Sequence, residues 1–213
     1  MPLYTIKNEE KDLELAFYFI HIPKCGGTTL ETLFEELKFR PFLSLKEMRD
    51  RELRKYLKLP PAHYDISFLE KIFHLDKIYS FAIVRNPYDR ILSDYKWAKT
   101  KTNSSLKFSK MNFEEFCINC FKEYSKDSVY LTNHITPQHK FVSKNVNKVF
   151  KLENGLEAAI QEVFTDIGIN LNKKLVLNKL NASTNEDIAV NQKTKDLIYN
   201  FYEEDFKVFG YNR

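Results

Sequence analysis

Cysteine, tryptophan and glycine are all scarce in this chain. Its 213 residues include three cysteines, one tryptophan and five glycines. Three cysteines cannot build a disulfide framework, which favours a reducing compartment such as the cytoplasm. Cys117 and Cys120 form a C-x-x-C pair, but no second pair of ligands at zinc spacing accompanies them. We therefore expect two buried core cysteines and no metal.

Long hydrophobic runs are also missing. The longest apolar run near the N-terminus covers residues 15–20, far short of the roughly 20 residues that a membrane-spanning helix needs. Residues 1–12 are polar and lack the basic-then-apolar order of a signal peptide. We expect no stable membrane insertion and a cytoplasmic protein, although a trimmed luminal domain of a membrane-anchored enzyme would have the same features.

The chain has no strong excess of either charge. Its formal net charge is +4, from 33 basic and 29 acidic side chains. Duplex nucleic acid usually requires a concentrated basic face, so a nucleic-acid partner is not expected. The charge balance is compatible with an anionic small molecule that is held by a few locally placed cations.

Apolar residues are plentiful and periodic. Hydrophobic residues make up 43% of the chain and aromatic residues 15%, which predicts a folded globule. The length and the lack of repeats or linkers indicate one domain over residues 1–213, with 1–12 as a flexible N-terminus. Periodicity and capping signals predict strands over 15–22, 79–84 and 146–152, a polar loop over 100–110, and helices over 28–37, 44–58, 65–75, 87–99, 113–124, 155–167 and 190–206. This alternation indicates an α/β fold with a mainly parallel central sheet flanked by helices.

The first strand-to-helix junction carries an anion-binding pattern. Two adjacent glycines follow the first predicted strand, and a glycine-containing turn lets the backbone approach a ligand closely. The N-terminus of the next helix adds partial positive charge, two threonines add hydroxyl donors, and a lysine adds a formal charge. The pattern predicts a phosphate or sulfate site formed by Lys24, Cys25, Gly26, Gly27, Thr28 and Thr29.

This loop differs from the nucleotide-triphosphate loop of kinases. That loop ends in Gly-Lys-Ser/Thr and has a further glycine upstream. Here Lys24 precedes both glycines, and no glycine lies upstream within the loop. Magnesium-dependent phosphoryl transfer is therefore the less favoured interpretation.

The second junction adds a cation and a hydroxyl. Arg85 follows the strand over 79–84, at the carboxyl end where open α/β sheets bind ligands. An Asn-Pro pair then marks a helix start, and Ser93 lies two turns into that helix on a face that can point back toward the strand end. An arginine with a hydroxyl can hold a phosphate. The structural alternative is a pairing of Arg85 with Asp89 and a packed Ser93.

Together the two junctions resemble the sulfotransferase superfamily, in particular the branch of Golgi-type carbohydrate sulfotransferases and their bacterial relatives (family 2). The family's 5′-phosphosulfate loop, Pro-Lys-Thr-Gly-Gly-Thr-Thr, is similar to residues 23–29 except for Cys25. Its 3′-phosphate motif is similar to residues 84–93. The resemblance spans about residues 15–211, because the family's later features are also matched at Pro137, Gln138, Asp205, Phe206, Phe209, Gly210 and Tyr211.

The resemblance implies a P-loop-like three-layer α/β fold and the co-substrate 3′-phosphoadenosine 5′-phosphosulfate (PAPS), without a metal. Lys24 would stabilise the bridging oxygen as the 5′-phosphate leaves. Cys25 would keep its backbone amide for the donor, with a thiol that becomes open to oxidation. Arg85 and Ser93 would hold the 3′-phosphate, and the 5′-phosphate would be held by Gly26, Gly27, Thr28 and Thr29.

Sulfuryl transfer also needs a base that removes the proton of the acceptor hydroxyl. In the family this base is often a histidine or glutamate between the two motifs, and His63 is the best match; the alternative is that His63 only decorates a helix start. His74 lies too near the second strand to match the usual spacing, and His21 is expected to be buried beside the loop. The glutamates of the first helix are expected mostly on its solvated face, although one of them could reach the site: Glu31, Glu35 and Glu36.

We therefore expect a PAPS-dependent sulfotransferase that moves a sulfuryl group to a hydroxyl of a carbohydrate or glycolipid by in-line displacement. The alternatives are an ATP-dependent P-loop-type kinase and a non-catalytic nucleotide-binding protein. Trp97 could stack on an adenine or a sugar, or pack in the core. The sequence leaves the acceptor, the sulfated position and the oligomeric state open.

Overall fold

A computed structural model describes residues 3–8, 13–42, 63–64, 66–100, 106–169, 177 and 188–213 of the chain. The predicted helix over 44–58 lies outside these residues. The strands are β1 (Leu3–Asn8), β2 (Leu13–Ile20), β3 (Arg40–Phe42), β4 (Tyr79–Val84) and β5 (Lys148–Lys151). The α-helices are α1 (Gly27–Glu36), α2 (Ile66–Ile72), α3 (Pro87–Thr100), α4 (Leu106–Ser109), α5 (Phe113–Lys126), α6 (Leu156–Asp166), α7 (Gln192–Phe201) and α8 (Glu203–Phe209).

The five strands form one sheet in the order β3-β1-β2-β4-β5. β2 pairs in parallel with β4, and β4 with β5, as the α/β interpretation predicts. β1 is antiparallel to both of its neighbours, so the sheet is only partly parallel and the prediction of a mainly parallel sheet needs correction. The reason is that β1 precedes β2 by a short connection, which suits only an antiparallel neighbour. A flexible N-terminus was predicted over residues 1–12, whereas residues 3–8 form β1 and pair with β2 and β3.

Two apolar clusters hold the fold together. The first lies around the sheet, where Phe17 of β2 packs against Phe34 of α1 and Phe164 of α6 with ring centroids 5.1 and 6.4 Å away. The second lies among the helices, where Phe121 of α5 stacks on Phe201 of α7 at 3.9 Å. Aromatic pairs of this kind add to the apolar area that they bury. α3 contributes to the second cluster, so it lies between the sheet and the helical part.

The start of α3 is formed as the Asn-Pro pair predicts. The Asn86 side chain accepts a hydrogen bond from the Tyr88 amide at 3.0 Å, and Pro87 is the first helical residue. An asparagine cap satisfies an amide that has no partner inside the helix, and proline has no amide to satisfy. The capping signal therefore fixes where α3 begins, with two residues between the end of β4 and Pro87.

The C-terminal helix is broken, although the sequence predicted one helix over 190–206. α7 ends at Phe201 and α8 begins at Glu203, with Tyr202 between them. Tyr202 is buried, and its hydroxyl donates to the Ile135 carbonyl at 2.9 Å. No glycine or proline marks the break, because a tertiary hydrogen bond stabilises it rather than a local preference. The predicted loop over 100–110 likewise contains α4.

The sheet order brings the two junctions together. In the parallel pair of β2 and β4, Ile20 lies opposite Ala82. The two strands therefore end at the same edge of the sheet, and the loops after Ile20 and Val84 leave from neighbouring points. This edge is where open α/β sheets bind ligands.

Candidate functional site

The loop between β2 and α1 has an unusual backbone. Lys24 has φ +67° and Gly26 has φ +83°, both in the left-handed region. For a lysine this conformation costs on the order of 1 kcal/mol, and such outliers cluster at functional sites. Gly26 is the N-cap of α1. Within the described residues, the amides of Gly26, Gly27 and Thr28 donate to no backbone carbonyl, so they are available to bind an anion.

Position 27 requires a glycine, because an imidazole fills the space of a side chain there. A Cβ at Gly27 would overlap the ring of His21. His21 is buried, which confirms the prediction that it lies beside the loop. A Cβ at Gly26 would lie 3.1 Å from a methyl carbon of Leu156 in α6. Because the two glycines have no side chain, His21 and Leu156 can pack closely against one side of the loop. The backbone amides on its other side stay accessible.

Cys25 points into the protein rather than toward a ligand. Its thiol donates to the Gln138 side chain, with Sγ 3.3 Å from Oε1, and its amide donates to the Ile22 carbonyl at 3.3 Å. Burial raises the pKa of the thiol to about 12. The oxidation sensitivity expected from the sequence is therefore not favoured, since the reactive form is the thiolate. The Cys25 amide, expected to serve the donor, already has an acceptor inside the loop.

Lys24 lies beside α3. Its ammonium is 5.3 Å from the centre of the Trp97 ring, a cation–π distance. The same ring stacks on the imidazole of His134, with centroids 4.8 Å apart and planes at 24°. Trp97 is half-buried. It therefore contributes to the wall of the site next to Lys24 and is not simply a core residue.

Arg85 connects the two junctions. Its guanidinium donates from Nη1 to the Lys24 carbonyl at 3.3 Å. Asp89 is exposed, and among the described residues Arg85 forms no ion pair with it. The structural alternative, in which Arg85 serves Asp89, therefore does not describe this arrangement. Arg85 is half-buried at the loop's edge, where its remaining donors can meet an anion.

Gln138 fixes the backbone of Arg85. Its side-chain oxygen accepts from the Arg85 amide at 2.9 Å, and its side-chain nitrogen donates to the Arg85 carbonyl at 2.8 Å. Its own amide donates to Asp205 at 2.7 Å. Both Gln138 and Asp205 are fully buried. The C-terminal residues that resemble the family are thus connected physically to the second junction.

Arg90 is a site residue that the sequence reasoning missed. It is 2% exposed, and its Nε donates to the Pro23 carbonyl at 3.1 Å. Its Nη2 donates to the His134 carbonyl at 2.7 Å. Because its Nε and Nη2 both donate hydrogen bonds, this buried arginine holds two segments against α3. They are the loop between β2 and α1 and the segment around His134. The sequence did contain a signal for Arg90. It precedes Ser93 by three residues, so the two side chains fall on the same face of the helix.

Ser93 lies on the face of α3 that meets the phosphate loop. This face is marked by Arg90, Asp94 and Trp97, which follow one another at helical spacings of four and three residues. Arg90 and Trp97 contact the loop between β2 and α1, and Asp94 contacts His134. Ser93 is three residues after Arg90 and half-buried, which puts it on this face too. Its role in holding a 3′-phosphate stays a prediction.

His63 is buried with a defined orientation. It is 6% exposed, and its Nδ1 lies 2.8 Å from the Thr132 carbonyl. A carbonyl can only accept, so Nδ1 carries the hydrogen and Nε2 keeps its lone pair. Burial holds the pKa of His63 well below its ordinary value, and the neighbouring His134 and His21 act in the same direction. A neutral imidazole with a bare Nε2 is suited to accept a proton.

Two histidine–carboxylate pairs lie on either side of His63. His21 Nδ1 is 2.7 Å from Glu31 Oε1, and His134 Nδ1 is 2.7 Å from Asp94 Oδ1. Glu31 is only 9% exposed. Of the three glutamates expected mostly on the solvated face of the first helix, Glu31 is therefore the one that reaches the site. Helical periodicity did not reveal the pairing, because His21 reaches Glu31 across the turn of the loop.

The remaining candidates have no part in this site. Cys117 and Cys120 are fully buried in the helical cluster, which confirms the prediction of core cysteines, and burial raises the pKa of Cys117 to about 12. His74 is exposed. Among the residues that the structure describes, no group of three or more histidine, cysteine or acidic side chains could hold a metal ion. No described helix is long and apolar enough to cross a membrane.

Comparison with known proteins agrees with this geometry. A sequence model of the sulfotransferase family matches residues 12–212, almost the whole chain. No curated protein and no solved structure matches it. The matched range includes both junctions, His63 and the Asp205–Gln138 connection. The chain belongs to the sulfotransferase family and is a sulfotransferase enzyme.

Proposed function

We propose that this enzyme transfers a sulfuryl group from PAPS to a hydroxyl of a carbohydrate or glycolipid. Enzymes of the family generally use PAPS as the sulfate donor. The observation that carries the proposal is the contact between the two junctions, in which Arg85 donates to the Lys24 carbonyl at 3.3 Å. It puts two groups of anion-binding residues side by side, as a donor with phosphates at both ends of its ribose requires.

The residues present fit such a donor. At the first junction, the amides of Gly26, Gly27 and Thr28 at the start of α1 suit the 5′-phosphate. The Thr28 side chain is exposed and can add its hydroxyl, whereas Thr29 is buried. At the second junction, the guanidinium of Arg85 and the hydroxyl of Ser93 suit the 3′-phosphate. The carbohydrate acceptor is supported by the resemblance of these motifs to the carbohydrate branch of the family.

The proposed chemistry is a single displacement at sulfur. A bond forms between the acceptor oxygen and sulfur while the bond from sulfur to the bridging phosphate oxygen breaks. The hydroxyl proton goes to Nε2 of His63, and the electron pair of the broken bond goes to the 5′-phosphate, where the Lys24 ammonium offsets the developing charge. The products are the sulfated acceptor and adenosine 3′,5′-bisphosphate.

Labelled PAPS tests the acceptor class and the base together. We expect label to enter a polysaccharide or glycolipid in a panel that also contains phenols and tyrosine peptides. His63→Ala should lower kcat by about a hundredfold or more, since it removes the proton acceptor. His74→Ala is the matched control and should leave kcat unchanged, because His74 is exposed.

Two results would overturn parts of this proposal. Transfer only to phenols or peptides would contradict a carbohydrate acceptor. Full activity of His63→Ala would remove His63 as the base while leaving the donor site untouched. Phosphoryl transfer from ATP with magnesium would instead favour the kinase alternative.

A further inference from the structure

Three imidazoles form a row through the centre of the site. We call His21, His63 and His134 the histidine row. The ring of His63 meets the ring of His21 with centroids 5.6 Å apart and planes at 73°. It meets the ring of His134 at 5.1 Å and 69°. All three side chains are buried, from 6% to 8% exposed, so their charges affect one another with little screening by water.

The outer histidines of the row differ from the middle one. His21 and His134 each have a carboxylate at Nδ1, from Glu31 and Asp94, at 2.7 Å. His63 has an uncharged carbonyl at that position. A carboxylate favours the protonated form of an imidazole, whereas a carbonyl without charge does so much less. The row therefore has a carboxylate at each of its two ends and none at its middle ring.

Asp94 is more than a structural partner of His134. Its Oδ1 contacts His134, but its Oδ2 is buried and has no hydrogen-bond partner. Burial is the largest single influence and would raise the pKa of the Asp94 carboxyl, yet the cationic partners together outweigh it, His134 foremost, and the pKa lies below its ordinary value. Lys24 and Arg90 add to this effect. A buried carboxylate that stays ionised with one oxygen unpaired implies an electrostatic role.

We propose that His134 and Asp94 are positioning residues that keep the proposed base, His63, neutral and correctly oriented. The ring of His134 lies against His63 and fixes its plane, while Asp94 holds His134 in place through its Nδ1. The other titratable group that faces His63 is His21, which is held by Glu31 on the opposite side of the row. Thr132 supplies the uncharged acceptor at Nδ1.

The sign of the effect follows from these contacts. His134 lowers the pKa of His63, in the same direction as burial. Asp94→Asn removes the carboxylate that holds the His134 ring against His63. The contribution of His134 then weakens, and the pKa of His63 rises toward its ordinary value. More of the base is protonated at mildly acidic pH, and the transfer rate there falls.

An NMR titration tests this directly. Proton–nitrogen correlation spectra of the labelled enzyme report the tautomer and the pKa of each imidazole without any turnover. In the wild-type protein we expect a neutral His63 with hydrogen at Nδ1 at about pH 6. In Asp94→Asn and His134→Gln we expect the pKa of His63 to rise by about one unit. His74→Gln is the matched control and should leave the row unchanged.

Kinetics supply the second readout. From about pH 8 to about pH 6, kcat should fall up to about fourfold more in Asp94→Asn than in the wild type, with KM for PAPS unchanged. A residue with only a structural role would lower activity equally at both pH values. If Asp94→Asn does not fold, His134→Gln and the wild-type spectrum decide the question.

The inference rests on the proposed role of His63, but the two can fail separately. A wild-type spectrum with a charged His63, or with a neutral His63 that carries hydrogen at Nε2, would overturn the inference, whatever the activity. An unchanged pKa of His63 in both folded variants would overturn it as well. A spectrum as expected, combined with a fully active His63→Ala, would contradict only the assignment of the base.

Discussion

The two strand-to-helix junctions present anion-binding groups of different kinds. The junction after β2 presents backbone amides at the N-terminus of α1, made accessible by left-handed residues at Lys24 and Gly26. The junction after β4 presents side chains, namely the guanidinium of Arg85 and the hydroxyl of Ser93. The first junction has His21 packed directly beneath its glycines, whereas the second is fixed from outside by Gln138 and Asp205.

This difference indicates how each junction will respond to mutation. Amides cannot be removed by substitution, so the first junction is sensitive to changes of backbone shape. The second junction depends on individual side chains, and its backbone is held by a buried hydrogen-bond network. Substitutions at the junction after β2 should therefore change stability and catalysis. Substitutions at the junction after β4 should change nucleotide selectivity.

The largest effect is expected at Lys24. Lys24→Ala removes the cation proposed to offset charge on the leaving phosphate, and kcat should fall by about a hundredfold to a thousandfold. Steady-state kinetics with saturating PAPS measure this fall. Lys99→Ala is a matched control, because Lys99 also lies over an aromatic ring, that of Tyr95, but on the exposed side of α3. A kcat within threefold of wild type for Lys24→Ala would contradict the role.

A smaller effect is expected from the backbone at Gly27. In Gly27→Ala the new methyl group would overlap the His21 ring, and overpacking of this kind costs about 1–3 kcal/mol. Thermal unfolding should show the loss, and affinity for the donor should fall because the amides of the loop move with the ring. Gly168→Ala is the control, since Gly168 has φ +75° and open space around it.

In the control Gly168→Ala, conformational strain should lower the free energy of unfolding by about 1–2 kcal/mol. Donor affinity should not change. Equal donor affinity in Gly27→Ala and wild type would show that the loop tolerates a side chain at this position. The claim of a shape-sensitive first junction would then be wrong.

The smallest effect is expected at Cys25. In Cys25→Ser a hydroxyl can donate to Gln138 in place of the thiol, so the change in stability should be about 1 kcal/mol or less and donor affinity should be nearly unchanged. The wild-type thiol should also react slowly with alkylating reagents, since burial raises its pKa to about 12. Fast alkylation that is lost in Cys25→Ser but kept in Cys117→Ser would contradict the buried assignment.

The sequence was sufficient for the parts of the site that depend on local chemistry. The glycine turn, the start of α3 at Pro87 and the strand before Arg85 each have a local signal, and each is present in the structure. The Asn86 cap illustrates this, because a single side chain and the next two residues determine it.

The parts that could not be predicted depend on contacts between distant residues. His134 and Asp94 are 40 positions apart, and Gln138 and Asp205 are 67 apart. Neither pairing has a spacing rule. The glutamates of the first helix were expected mostly in solvent, yet the loop brings His21 back onto Glu31. The antiparallel β1 was missed because its six residues lie within the N-terminal stretch 1–12, which is polar overall.

The central claim is that the two junctions act together on one donor with two phosphate groups. Calorimetric binding of adenosine 3′,5′-bisphosphate and AMP to the wild type and to Arg85→Ala tests it most directly, with Arg213→Ala as an exposed arginine control. The account predicts that the bisphosphate binds about 10–100-fold more tightly than AMP, as a charge-assisted contact allows, and that only Arg85→Ala abolishes the difference. Equal affinity of the wild type for both nucleotides would contradict it.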